Sequence, residues 1–231
     1  MHYVTIVALS KYLDIFQGFE KNLDDFAPGI DRILVADGRL IPEYPKGWLY
    51  VRGPKKFSMA GNANLGWGAA GKLADILYIG DDVRLTQQGT VEKLQELAYS
   101  DPKIGMISPR ILGGADNPLQ TDPPADKEIV YSERYLALVC TYIKREVLDK
   151  VGYLDEETFC GYGAEDADLS KRVRLAGYSL AVAPQVEVKH GLASKGTETF
   201  LRNTGGYYED IQAQADANEE AYFKKWGERL R

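Results

Sequence analysis

The sequence predicts an α/β fold built on a doubly wound, mostly parallel central sheet flanked by helices, Rossmann-like in plan. Three observations lead there. Short β-branched and apolar runs alternate with helical patterns along the first half of the chain. Two of those runs close on carboxylates, Asp37 and the pair Asp81-Asp82, as strands do where their carboxyl ends face a ligand crevice. No window approaches the ~18–20 apolar residues that span a bilayer, so the apolar runs are expected to be core strands of a soluble protein.

Taken in order, "YVTIVAL" reads as a strand rather than a leader, because its apolar run covers only Val4 to Leu9 and lacks a basic flank and a small-residue cleavage site. A polar-apolar helix follows over Tyr12 to Phe26, then the runs "RILVAD" and "WLYVRG". The small-residue stretch "GNANLGWGAAGKLA" reads as a helix from about Ala60, ahead of "ILYIGDD", a helix from Thr90 to Tyr99, and "IGMISPRI". Within it "GWGAAG", Gly66 to Gly71, matches a dinucleotide fingerprint letter for letter. That fingerprint has to follow a strand and open a helix, whereas these glycines sit inside a helical pattern before a strand, so the match is read as a decoy. Gly113 to Lys127 is a loop, either a lid or specificity insert or a tolerated surface connection. The runs "YLALVCTYI" and "SLAVAP" bracket the helix "REVLDKVG" and an acidic helix, and the tail ends in "EEAYFKKWGERLR", a helix expected to pack aromatics back on the domain.

The 231 residues, 45% hydrophobic, allow one domain with a substantial core, or one domain plus a C-terminal extension. Lys and Arg number 28 against 34 Asp and Glu, a net charge of -6 with a pI of 5.1, which disfavours a nucleic-acid partner and acidic membranes. Cys140 and Cys160 form no metal or disulfide pattern, and with the two histidines they lack zinc-site spacing; reduced thiols in a cytoplasmic setting are expected.

The chemistry concentrates in two acidic clusters. In "GYGAEDADLSKRVRLAGY", Glu165, Asp166 and Asp168 precede a helix marked by Leu169, Val173 and Ala176, with Gly177 where a left-handed C-terminal residue belongs. Helix capping accounts for one or two acids, at ~0.3–1 kcal/mol each, more readily than for three. The glycine-rich approach "CGYG" lets backbone come close to a ligand. Asp81-Asp82 can hold a hard divalent cation against a diphosphate, or form an Asp-rich turn. His190 ends "VEVKH" and can join those carboxylates, and Lys195 in the following loop can neutralise phosphate charge.

The order of these features resembles the inverting glycosyltransferases of family two, which have the GT-A fold, from about Tyr3 to Gly227. The family's glycine-glutamate-aspartate-variable-aspartate-leucine pattern is matched at Glu165, Asp166, Asp168 and Leu169, with Arg172 and Gly177 in place. The resemblance implies a single GT-A catalytic domain over 1–231, with a nucleotide-sugar-binding half at 1–110, an acceptor and catalytic half at 129–196 and a helical tail at 197–231. It implies metal-dependent transfer from a nucleoside-diphosphate sugar, UDP favoured, to an acceptor hydroxyl with inversion, using Mn²⁺ or Mg²⁺. Asp82 falls on the metal-binding acid of a DxD-type motif, Asp81 on a metal or donor-ribose contact, and His190 on the second protein ligand. Asp166 falls on the general base; beside it Glu165 is assigned to orienting the acceptor or the loop, and Asp168 to helix-end hydrogen bonding. Gly61, Asn64 and Gly66 in "GNANLG" fall near the donor, with Ser10, Asp37 and Lys195 as further nucleotide contacts. The chain departs from the pattern at Gly80, in place of the first DxD acid, at Ala36, and at "ALSK" after the first strand, which leaves base selectivity open. The alternatives are a catalytically silent sugar-nucleotide-binding domain, a retaining enzyme of the same fold, or a nucleotidyltransferase.

Overall fold

A computed structural model describes residues 2–36, 44–54, 58–191 and 211–230. In chain order the elements are β1 (Tyr3–Ser10), α1 (Leu13–Phe26), β2 (Asp31–Ala36), β3 (Trp48–Arg52), α2 (Met59–Ala69), β4 (Ala74–Gly80), β5 (Arg84–Leu85), α3 (Thr90–Ser100), β6 (Ile104–Leu112) and α4 (Pro118–Thr121). Then follow β7 (Val130–Ser132), β8 (Cys140–Ile143), α5 (Arg145–Val151), α6 (Glu165–Leu175), β9 (Ser179–Lys189) and α7 (Ile211–Trp226). The strands form one sheet in the order β3-β2-β1-β4-β8-β6-β9-β5, with β7 beside β9. β3, β2, β1 and β4 run parallel, as do β6 and β9, while β8, β5 and β7 are antiparallel to their neighbours.

Side-chain alternation along the strands builds a core on both faces of the sheet, as expected of a sheet covered on both sides. Ile6 and Ala8 of β1, with Leu77 and Ile79 of β4, meet Phe16, Phe19 and Leu23 of α1 and Leu94 of α3. The intervening Val7, Leu9, Ile76 and Tyr78 face the other way, against Ala63 and Trp67 of α2, Val147 of α5 and Leu169 of α6. Gly66 explains the decoy motif: a Cβ there would lie 2.4 Å from Val7 Cγ1 and 3.0 Å from Val35 Cγ2. It is the residue that lets α2 approach the sheet, and no phosphate enters the account.

Two elements differ from the sequence reading. In "YLALVCTYI" only Cys140–Ile143 is strand; Ala137 to Val139 turn out of the sheet, with Val139 N–H donating to Ala137 C=O at 2.8 Å, and line a cavity instead. Gly113 to Lys127 is not one loose loop. Asn117 and Gln120 are buried, Asn117 Oδ1 accepts from Leu119 N–H at 3.0 Å to open α4, and Gln120 bonds Ser108 and Ala137, so the segment after Asp116 is anchored. Among the described residues no helix is long and apolar enough to cross a membrane.

Candidate active site

The parallel register of β1 and β4 places Leu9 beside Gly80, so the residues just beyond, Ser10 and Asp81, come together at the carboxyl end of the sheet. Ser10 Oγ donates to Asp81 Oδ2 at 2.5 Å. Burial pushes the Asp81 carboxyl up to about 7, the serine bond pulling the other way. The antiparallel pairing of Arg84 with Lys189 and Leu85 with Val188 then carries Asp82 to the end of β9. His190 Nε2 lies 3.4 Å from Asp82 Oδ2. Residues distant in sequence thus meet because β5 is a two-residue strand that pairs with the last two residues of β9.

The imidazole is oriented from behind. His190 Nδ1 is 2.7 Å from the Gly114 carbonyl, which can only accept, so Nδ1 carries a hydrogen and Nε2 is the nitrogen turned to Asp82, protonated beside the carboxylate or free to bind a cation in its place. Gly113 makes this possible. Its φ is +108° and a Cβ would fall 2.3 Å from the His190 carbonyl oxygen, so only glycine lets the two chains pass. Burial opposes protonation of His190, but the Asp82 carboxylate outweighs it and the pKa lies above the ordinary value. Beneath the turn, Arg84 Nη1 donates to the carbonyls of Asp81 and Val83, each at 2.8 Å, fixing the pair of acids.

The second cluster arrives on α6. The chain enters it through left-handed residues, Gly161 at φ 79°, Gly163 at φ 105° and Ala164 at φ 68°. A left-handed alanine costs about 1 kcal/mol, and here it sits immediately before the two acids it aims. Glu165 is 4% exposed, and its Oε2 has no hydrogen-bond partner among the described residues. Burial, then the neighbouring Asp166 charge, pushes its carboxyl up to about 8. Burial likewise raises Asp166 to about 6, against the pull of the Ala167 N–H, which donates to Asp166 Oδ1 at 2.7 Å. Asp168 does not serve its own helix end as the sequence suggested. Fully buried, it accepts from Arg172 Nε (2.8 Å), Lys225 Nζ (2.7 Å) and Trp226 Nε1 (2.9 Å), tying α6 to α7.

Asp81, Asp82, His190, Glu165, Asp166 and Ser10 line one cavity of about 540 Å³, within the usual size of a small-molecule site. Asn64 and Gly61 do not line it. Asn64 Nδ2 donates to the Leu154 carbonyl and Leu154 N–H to Asn64 Oδ1, both at 2.9 Å, so the amide is used up in joining α2 to the 152–156 segment. Gly61 N–H is capped by Ser58 Oγ at 3.1 Å. Asp37 and Lys195 lie outside the described residues. The sequence reading missed four residues that the geometry brings in. Lys11 is buried on the cavity wall next to Ser10, and Asp116 lines the wall beyond Gly114. Arg84 clamps the acidic turn, and Asn218 of α7 donates to the carbonyls of Cys160 (2.9 Å), Tyr162 (3.0 Å) and Gly163 (2.9 Å), fixing the approach to α6.

No family model and no curated protein matches this chain. Among solved structures it is similar to the mannosyltransferase PcManGT from Pyrobaculum calidifontis, in complex with GDP-Man and Mn²⁺, with a TM-score of 0.58 and 14% identity over 86% of this chain and 59% of that one. It is also similar to GalNAc-T7 with UDP, GalNAc and Mn²⁺, with a TM-score of 0.64 and 14% identity over 96% of this chain and 55% of that one. This is the GT-A fold. The chain spans less than two thirds of the length of either protein, and at such identity the likeness carries the architecture alone.

Do the residues present suit a divalent cation? Among the described residues no three His, Cys, Asp or Glu side chains group tightly enough to enclose one. A pair does suit it: a carboxylate and an imidazole 3.4 Å apart, with Nδ1 already committed to Gly114, form one side of an oxygen-and-nitrogen site left open to a ligand's oxygens.

Proposed function

We propose that this chain is a metal-dependent glycosyltransferase that moves a sugar from a nucleoside-diphosphate sugar to an acceptor hydroxyl with inversion. The observation that carries the proposal is the convergence of Asp82 and His190 with Glu165 and Asp166 on one cavity of the GT-A fold. The two known proteins described above were solved with GDP-Man or UDP and with Mn²⁺, which supports the donor class without choosing the base or the sugar.

Asp82 and His190 would hold Mn²⁺ or Mg²⁺, and the bound cation would supply positive charge against the departing diphosphate. Lys11 adds a buried ammonium group on the same wall. Near neutrality Glu165 keeps its proton and Asp166 has lost its own, so the pair carries a single negative charge. The Ala167 amide donates to Asp166 Oδ1 and orients the carboxylate, which takes the proton of the acceptor hydroxyl. The acceptor oxygen then bonds to the anomeric carbon as the bond to the nucleoside diphosphate breaks on the opposite face. Glu165 orients a hydroxyl by donating to it, the same arrangement that accounts for a buried carboxyl with an unpartnered oxygen.

Incubation with a panel of nucleotide sugars and Mn²⁺ tests this reading. Asp166→Asn should lower turnover of the accepted donor by about 10²–10⁴-fold with nucleotide affinity unchanged. Turnover like that of the wild type removes Asp166 from the base role, and a product whose anomeric configuration is retained, read by NMR, removes inversion.

A further inference from the structure

A second cavity, about 470 Å³, lies along the adjoining flank of α6. Ala167, Lys171 and Arg174 line it at i, i+4 and i+7, one face of the helix, while Asp166 lines the active cavity. Tyr222 of α7 and Arg229 close the opposite wall, and Arg134 and Tyr135 complete it. The charge there runs against the rest of the molecule. Arg134, Lys171, Arg174 and Arg229 face it with only Glu133 and Glu228, in a chain whose net charge is -6.

The cations are not equally compensated. Lys171 pairs with Glu228 at 2.6 Å, and Arg229 with Glu220 at 3.3 Å. Among the described residues Arg174 meets no carboxylate: Nη1 donates to the Glu133 backbone carbonyl, and its buried Nε has no partner. The Arg134 guanidinium forms no ion pair and no hydrogen bond among the described residues. Two guanidinium groups without counter-charge, one with a buried donor still unmade, are arranged as forks for a planar or tetrahedral oxyanion.

We infer that this cavity is a binding site for a phosphate-bearing ligand, held by Arg134 and Arg174. Two uncompensated positive charges match a phosphate dianion better than a single carboxylate. On the transferase reading the ligand is the acceptor, and the binding test does not depend on that reading. The placement suits an acceptor: Arg174 lies about 12 Å along the helix from Asp166 at 1.5 Å per residue, so the anion would be several bonds from the reacting hydroxyl. Tyr135, on the wall of this second cavity, feels the Asp166 charge: burial and then that charge hold its hydroxyl above the ordinary pKa.

Calorimetry with inorganic phosphate, without metal, tests the site on the whole chain. The wild type and Asp82→Ala should bind phosphate alike, more tightly than acetate, and the double variant Arg134→Gln/Arg174→Gln should bind it at least about tenfold more weakly. Mn²⁺-dependent UDP or GDP binding should be unchanged in that double variant. Arg134 is exposed, so Arg134→Gln alone is a folding-safe check and should weaken phosphate binding by a smaller factor. Undetectable phosphate binding by the wild type, equal affinity for acetate, retention in the double variant, or loss in Asp82→Ala would each overturn the inference. Failure of the transferase reading would show separately, as absent nucleotide binding.

Discussion

Strand β4 has a buried aspartate at each end, and the two are treated in opposite ways. Asp75, 2% exposed, accepts from Tyr99 Oη (2.8 Å), Tyr142 Oη (2.6 Å) and the Arg145 amide (2.7 Å), which caps α5. Asp81, 4% exposed, receives one hydroxyl from Ser10 and otherwise faces a cavity with Asp82 alongside. Burial alone therefore does not mark a functional carboxylate. A buried acid whose oxygens are saturated with donors holds the fold together, and a buried acid short of donors beside open space is left for a ligand to complete. Glu165, with its unpartnered oxygen, belongs with Asp81.

The contrast can be broken most forcefully at Asp75. Asp75→Ala leaves two tyrosine hydroxyls and a helix N–H without their acceptor, and should cost about 3–5 kcal/mol in urea unfolding. Asp166→Asn, on the other side of the divide, should leave the protein no less stable at neutral pH, because burial makes the ionised carboxylate a cost in the fold. A neutral Asp75→Ala would dissolve the distinction.

Glu165 gives the next largest effect. Its folded pKa, about 8, is raised above the unfolded value, so the stability it contributes is fully present below the unfolded pKa and is lost as pH rises through about 8. Glu165→Gln removes the ionisable group, and its advantage over wild type at pH 9 should exceed that at pH 5 by on the order of 3 kcal/mol. Turnover should follow a bell, rising as Asp166 ionises near 6 and falling as Glu165 ionises near 8, and Glu165→Gln should flatten the alkaline limb. A pH-independent difference in stability, or an unaltered alkaline limb, would return Glu165 to a packing role.

The smallest effect expected is at Asn218, which positions the approach to α6 without touching the cavity. Asn218→Ala should lower stability by about 1–2 kcal/mol, speed amide exchange from Gly161 to Gly163, and lower kcat more than it raises KM for the donor. Unchanged exchange in that segment would mean that α7 does not hold the loop.

How much of this was legible in the sequence follows the same divide. Short continuous apolar runs marked the strands, because both faces of the sheet are covered, and i, i+4, i+7 spacing marked α6. Asp82, His190, Glu165 and Asp166 could be named from strand ends and a helix start. Asn64 could not be read correctly, because its reciprocal bonds to Leu154 depend on a tertiary neighbour far along the chain. Arg84, two residues past Asp82, carries no signal in the sequence, because its clamp on the Asp81 carbonyl exists only once the turn has formed. Asn218 shares the inward face of α7 with Tyr222, and amphipathic reasoning, which pointed to the aromatics that do pack there, passed over the amide that binds.

Central to the account is a cation and a nucleoside diphosphate meeting at Asp82 and His190, and calorimetry of UDP and GDP with and without Mn²⁺ tests it most directly. The wild type should bind one of the two nucleotides in a Mn²⁺-dependent manner, and Asp82→Ala should weaken that binding by about 10–100-fold while Asp166→Asn leaves it intact. Affinity in Asp82→Ala equal to that of the wild type, or nucleotide binding indifferent to Mn²⁺, would contradict it.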